Sequence, residues 1–201
     1  VFGVGSGVLM AVKKDRLLDH VLGTFSTVAL SLPGFWIAIV LIFIFAEQWK
    51  ILPSSGISDG SGFILPAITL ALPSIGVCAR LTRSAILDEI GRQYMTVADA
   101  KGMSRRRAVI RHAFGNALIP IITYLGNHMA GIIGGASIVE TIFAIPGIGS
   151  YAIAGVQSKD YYVVQAYVLF SGCIYVLTNI LIDLIYIALD PKIRAGEAVE
   201  S

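Results

Sequence analysis

The chain has 201 residues, of which 56% are hydrophobic and only 14% charged, with a formal net charge of +2. Soluble domains carry roughly a quarter charged residues, and a soluble core of this size would leave many of these apolar side chains facing water. Composition therefore argues against an ordinary water-soluble domain and favours a chain solvated by a bilayer.

The opening run Val1–Val12 is uncharged but only 12 residues long, short of the ~20 a transmembrane helix needs. No basic segment precedes it and no cleavage-type segment follows, so it does not read as a signal peptide. It is expected to be the end of a helix in a longer, N-terminally truncated protein. Lys13, Lys14 and Arg16 form a short basic loop, and Val21–Ala46 then runs 26 residues without a charge. Pro33-Gly34 inside it is expected to kink that span without ending it. Glu47–Gly62 is a turn-rich loop with one base, Lys50. Phe63–Ile86 is the next span, carrying Pro66 and Pro73 and, towards its far end, Arg80 and Arg83. Leu118–Val139 and Val163–Leu189 complete the set, separated by a loop with the turn Pro146-Gly147-Ile148-Gly149. The predicted fold is thus an all-α polytopic bundle, 1–190, with four full spans and a partial one at 1–12, followed by a polar tail at 191–201.

Continuous apolar runs, rather than ten-residue alternation, argue for helices and against a barrel. Charge then orients them. The first loop holds three bases, the stretch from Arg83 to Arg111 seven, and the tail Lys192 and Arg194, while the intervening loops hold one each, Lys50 and Lys159. The positive-inside rule puts the basic loops and the C-terminus in the cytoplasm. Cys78 and Cys173 both sit in apolar runs and read as packed thiols. No His, Cys or carboxylate cluster has metal-ligand spacing.

The one long polar interruption is Tyr94–Pro120, the heart of a cytoplasmic loop at 91–117. It carries Lys101, Arg105, Arg106, Arg107 and Arg111 against a single acid, Asp99. Two helical patterns are hinged at Gly102, with Ser104 as N-cap of the second and Met103 as a weak staple. Arg105–Arg107 occupy a first turn where the macrodipole favours acids. They either hold the loop on anionic headgroups or meet an acidic partner surface. His112 and Asn116 share a helical face and read as structural.

Ala98, Ala100, Lys101, Gly102, Ser104, Arg111-His112-Ala113, Asn116-Ala117 and Pro120 resemble the cytoplasmic signature loop of bacterial ABC importer permeases, in the branch that takes up peptides and nickel. Thr96-Val97-Ala98 stands where the general pattern has Glu-Ala-Ala, so only the second Ala is kept. The resemblance continues in Pro33-Gly34-Phe35-Trp36, Glu140-Thr141-Ile142-Phe143, Pro146-Gly147-Ile148-Gly149, Asp160-Tyr161, Val164-Gln165, Asn179, Asp183 and Leu189-Asp190-Pro191-Lys192-Ile193-Arg194, nearly the whole chain.

The resemblance implies a type I importer permease in the bacterial or archaeal cytoplasmic membrane. Residues Ala98, Asp99, Ala100, Lys101, Gly102, Met103, Ser104 and Arg105, with His112 and Asn116 behind them, would form the ATPase-coupling loop. The implied partners are two cytoplasmic ATPase subunits, a second homologous permease, an external substrate-binding protein and the lipid bilayer, with no nucleic acid. ATP and Mg would bind on the partners, leaving no cofactor, metal or catalytic residue here. The chain indeed has no G-x-x-x-x-G-K-[ST] phosphate loop, since Gly3, Gly5 and Gly7 lack the following Lys-Ser/Thr, and no H-E-x-x-H or G-x-S-x-G.

Polar groups inside lipid are functional candidates. Asn127 and His128, mid-span, are candidates for the translocation path or for interhelical hydrogen bonding. Glu140, at the outer end of its span, would line an external gate or serve only at the interface. Gly126, Ala130 and Gly134, like Gly131 and Gly135, recur every four residues and predict close helix contact. Arg80 and Arg83 are expected to snorkel, with Asp183 as partner to one of them. The alternative to an ATP-driven permease is an ion-coupled secondary transporter, which needs internal repeats and midplane carboxylates; no repeat is visible. An intramembrane enzyme would need a nucleophile–base pair that is missing.

Overall fold

A computed structural model describes residues 1–57, 60–92, 114–133 and 136–189. The described chain is helical: α1 (Phe2–Val12), α2 (Leu17–Ser31), α3 (Gly34–Leu41) continuing into a π-helical stretch at Ile42–Gln48, a 3₁₀ turn at Gly60–Phe63, α4 (Ile64–Ile90), α5 (Phe114–Ile133), α6 (Ser137–Ile142), α7 (Ile148–Gln157) and α8 (Tyr161–Leu189). Most of the coupling loop, including Ala98 to Arg105 and His112, and the tail from Asp190 lie outside the described residues.

Helix α4 is the centre of the packing. Its 27 residues extend about 40 Å, against ~30 Å for a hydrocarbon core. Neither proline breaks it. Pro66 lies in the first turn, where amides have no intrahelical acceptor in any case, while Pro73 sits in the interior. The apolar surroundings leave the chain no better way to satisfy its backbone than to continue the helix.

Helix α1 lies against α4 through a ridge of small residues. A Cβ added at Gly7 would stand 2.5 Å from both the Ala79 carbonyl oxygen and Thr82 Cβ, and one at Gly3 2.8 Å from Cys78 Cβ. Ala11, one helical turn further, is fully buried. Gly3, Gly7 and Ala11 recur every four residues, the spacing that lets membrane helices approach closely. On another side of α4, Gly76 meets α2, since a Cβ there would be 2.7 Å from the Ser26 carbonyl oxygen.

The apolar run Val21–Ala46 is two helices and not one kinked helix. Helices α2 and α3 meet at 101°. Pro33 restricts the residue before it to extended backbone, and Leu32 adopts φ −85°, ψ 128°. The Pro33 carbonyl then accepts from the amides of Trp36 and Ile37, starting α3 afresh. Among the described residues two helical stretches are long and apolar enough to cross a membrane, Gly60–Ile90 and Tyr161–Ile185, and the bent pair counts as a third if it is one span.

Two further boundaries differ from the expected spans. The run Leu118–Val139 is helical as α5 only to Ile133, and α6 follows from Ser137. The loop Glu140–Tyr162 contains a ten-residue helix, α7. Gly126 on α5 packs on α8, where an added Cβ would meet Ile182 Cδ1 at 2.5 Å, and Ala130 is buried. Gly131 has open space around it, and Gly134 and Gly135 lie outside the described residues.

Candidate functional site

Residues 93–113 connect the C-terminus of α4 to the start of α5. Those two ends are held together. Ile86 of α4, Ala117 of α5 and Ala11 of α1 form one buried cluster, ringed by Val8, Val12, Ile90 and Phe114. Arg92 Nε pairs with Glu89 at 3.0 Å, just past the end of α4. The end of α4 and the start of α5 are thus packed together with α1 in one cluster. Asn116 lies in the first turn of α5; its side chain is outside the described set.

Asn127 and His128 both lie on α5. His128 Nε2 is hydrogen-bonded to Ser74 Oγ of α4, and its ring stacks on Tyr124, one turn earlier, with centroids 5.7 Å apart and planes 9° from parallel. Ser74 Oγ in turn donates to the Leu70 carbonyl at 2.9 Å. Beside this cluster Asn127 Oδ1 is buried without a partner among the described residues. A buried amide oxygen left without a partner is unfavourable by ~1–3 kcal/mol. Ser74 and Tyr124 were not visible as candidates in the sequence, because a hydroxyl in an apolar run is common and only tertiary contact singles these out.

Glu140 does not join Asn127 and His128. Its Oε2 accepts from the Ser150 amide at 2.7 Å, and a Cβ added at Gly147 would lie 2.4 Å from its carboxyl carbon. Gly147 is the N-cap of α7 and has no side chain to offer, so Glu140 supplies the acceptor from another helix. A carboxylate over free amides at a helix N-terminus is favourable. Ser150 Oγ accepts from the Gly147 amide at 3.0 Å and lies 3.0 Å from the Ile145 carbonyl, to which it donates. The Gly56 amide donates to the Phe143 carbonyl at 2.8 Å, tying the Glu47–Gly62 loop to the same corner. Phe143 is buried beside Ala38, Leu65 and Val139. The motif from Glu140 to Gly149 thus builds a fixed corner.

The expected pairing of Asp183 with Arg80 or Arg83 is corrected. Arg83 Nε and Nη2 donate to the two oxygens of Asp19 at 2.7 and 2.8 Å. Asp183 is exposed on α8, with no ion pair among the described residues. Arg80 Nη1 donates to Thr27 Oγ1 at 3.4 Å. The signal for Asp19 was present in the first loop, whose three bases are accompanied by Asp15 and Asp19; counting bases alone passes over them.

Apolar helices packed by small residues, with a basic stretch of sequence between two of them, define a helical protein embedded in the membrane. Residues 3–195 match the family described as binding-protein-dependent transport system inner membrane component, and the chain belongs to that family. It is 39% identical over 200 residues to the probable peptide ABC transporter permease protein y4tP of Sinorhizobium fredii, covering 96% of this chain and 64% of that protein. It is 34% identical over 194 residues to the glutathione transport system permease protein GsiC of Escherichia coli strain K12, covering 96% of this chain and 63% of that protein. The resemblance to the peptide/nickel branch is borne out, and the chain spans under two thirds of the length of these curated relatives.

Proposed function

We propose that this chain forms part of the permease subunit of an ATP-driven type I importer for peptides. The observation that carries this reading is the family match along residues 3–195, which includes the basic segment between α4 and α5. In this reading Ala98–Ser104 docks on a cytoplasmic ATPase, with a second ATPase and a second permease completing the core. An external binding protein delivers cargo, and ATP and Mg act on the partners alone. Small peptides are favoured over nickel because the two relatives are named for a peptide and for glutathione, itself a short peptide. The C-terminus and the basic segment face the cytoplasm, as the positive-inside rule requires.

The buried base formed by Ile86, Ala117 and Ala11 supports the mechanical part of the proposal. Movement of the docked segment would shift α1, α4 and α5 as a unit, since a packed core transmits displacement instead of absorbing it. Asn127 and His128, now with Ser74 and Tyr124, are assigned to the path wall; Glu140 is assigned to holding the outer corner. The test is transport by the full-length protein in vesicles with its ATPase partners. Gly102→Leu should leave the protein in the membrane but abolish cargo-stimulated ATP hydrolysis, because the hinge needs glycine's backbone freedom. Normal stimulation in that variant would remove the coupling assignment. Uptake that persists without any ATPase and follows an ion gradient would instead establish the secondary transporter.

A further inference from the structure

Along the face between α2 and α4 a groove changes from charged to apolar. Its polar end is a cleft of about 570 Å³ lined by Asp19, His20, Thr24, Thr27, Arg80 and Arg83. Arg83 is engaged by Asp19. Arg80 is exposed, and among the described residues its one hydrogen bond is the long contact to Thr27 and no carboxylate pairs with it. Lys13, Lys14 and Arg16 stand in the adjoining loop. Val28 lines this cleft and also a second hollow of about 170 Å³, walled by Phe25, Ala29, Leu32, Trp36 and Leu72 inside the elbow between α2 and α3. From Arg80 back to Leu72 along α4 is about 12 Å of helix.

We propose that this groove holds an anionic phospholipid, with its phosphate on Arg80 and an acyl chain along Val28, Leu32 and Trp36. The proposal rests on the orientation given above, in which the basic end meets the cytoplasmic leaflet. Each half of the groove discriminates. Free inorganic phosphate satisfies Arg80 but leaves the apolar hollow empty. A peptide would bring amide groups into a hollow whose walls are apolar side chains, where they would lose their hydrogen bonds to water. A phospholipid places charge and hydrocarbon in the order that the groove presents, and basic sites between helices near the cytoplasmic surface attract anionic headgroups.

The test uses the full-length permease in its assembled transporter, in nanodiscs of phosphatidylcholine alone or mixed with phosphatidylglycerol. Retained lipid is counted by native mass spectrometry. Wild type should retain phosphatidylglycerol in preference to phosphatidylcholine. Arg80→Gln should weaken retention about fivefold, equivalent to ~1 kcal/mol for one basic contact at the surface. Trp36→Ala should weaken it with the charge unchanged, and inorganic phosphate should not displace it. Equal retention of both lipids, or unchanged retention in both variants, would overturn the proposal. Displacement by inorganic phosphate would make this an anion site, and displacement by a dipeptide a vestibule for cargo; either excludes a lipid site. Retention is read without transport, so a failed lipid result leaves the transport reading standing, and the converse holds too.

Discussion

Asp19→Ala tests whether charge fastens α2 to α4. The carboxylate accepts from Arg83 at 2.7 and 2.8 Å and from the Asp15 amide at 2.9 Å, and all three bonds are lost in the variant. Breaking a buried pair from one side is unfavourable by ~3–5 kcal/mol, while an exposed pair is worth only ~0–1 kcal/mol. Here Asp19 is 4% exposed and Arg83 30%. The released guanidinium can turn towards water on its long stem, so the loss should fall between those limits, at about 2 kcal/mol. Reversible unfolding of the full-length protein in bicelles measures it. A double-mutant cycle with Arg83→Gln isolates the pair and should return a coupling of ~1–2 kcal/mol. Single effects that add to the double within ~0.5 kcal/mol would refute the fastening. Asp183→Asn is the control and should leave the unfolding curve where it was.

Gly7→Leu should reduce assembly or stability by ~1–3 kcal/mol through overpacking against Ala79 and Thr82, whereas Gly5→Leu, where an added Cβ meets nothing within 4 Å, should be silent. A thermal scan of both proteins separates the two; equal effects would mean that α1 does not pack by its glycine ridge. Glu140→Ala should free the Ser150 amide and destabilise α7 by ~1 kcal/mol. Hydrogen exchange over α7 should then quicken by about fivefold, while exchange in α4 stays unchanged. Unaltered protection of α7 would show that its start is capped by something other than Glu140.

What the sequence revealed follows the reach of the forces involved. Long uncharged runs are legible because lipid tolerates little else over ~20 residues, and α4 and α8 fall where those runs lie. The start of α7 was harder to see, since Gly147 offers no cap of its own and the capping carboxylate comes from Glu140 on another helix. Pro33-Gly34 was readable as a disturbance but not as a 101° elbow, because a proline's effect depends on what waits to receive the chain beyond it. The choice of Asp19 over Asp183 as partner for Arg83 lies 64 residues away in the sequence, beyond any local pattern. The Gly3–Gly7–Ala11 ridge, by contrast, has the spacing already recognised at Gly126–Ala130 and was open to the same reading.

Helix α4 touches α1 through glycines, α2 through an ion pair, α3 and α6 through an apolar cluster, and at its C-terminal end shares a buried cluster with α5. It is therefore the element on which the other described helices of this group converge. A tilt of about 10° about the middle of a ~40 Å helix carries each end ~3.5 Å in opposite directions. Because α1 and α5 share its buried cluster and would be carried with it, such a tilt would displace both ends while the glycine contacts near the middle barely move. In the permease reading proposed above, a pull at the basic end and a swing at the far end would then be one motion of a single rigid rod.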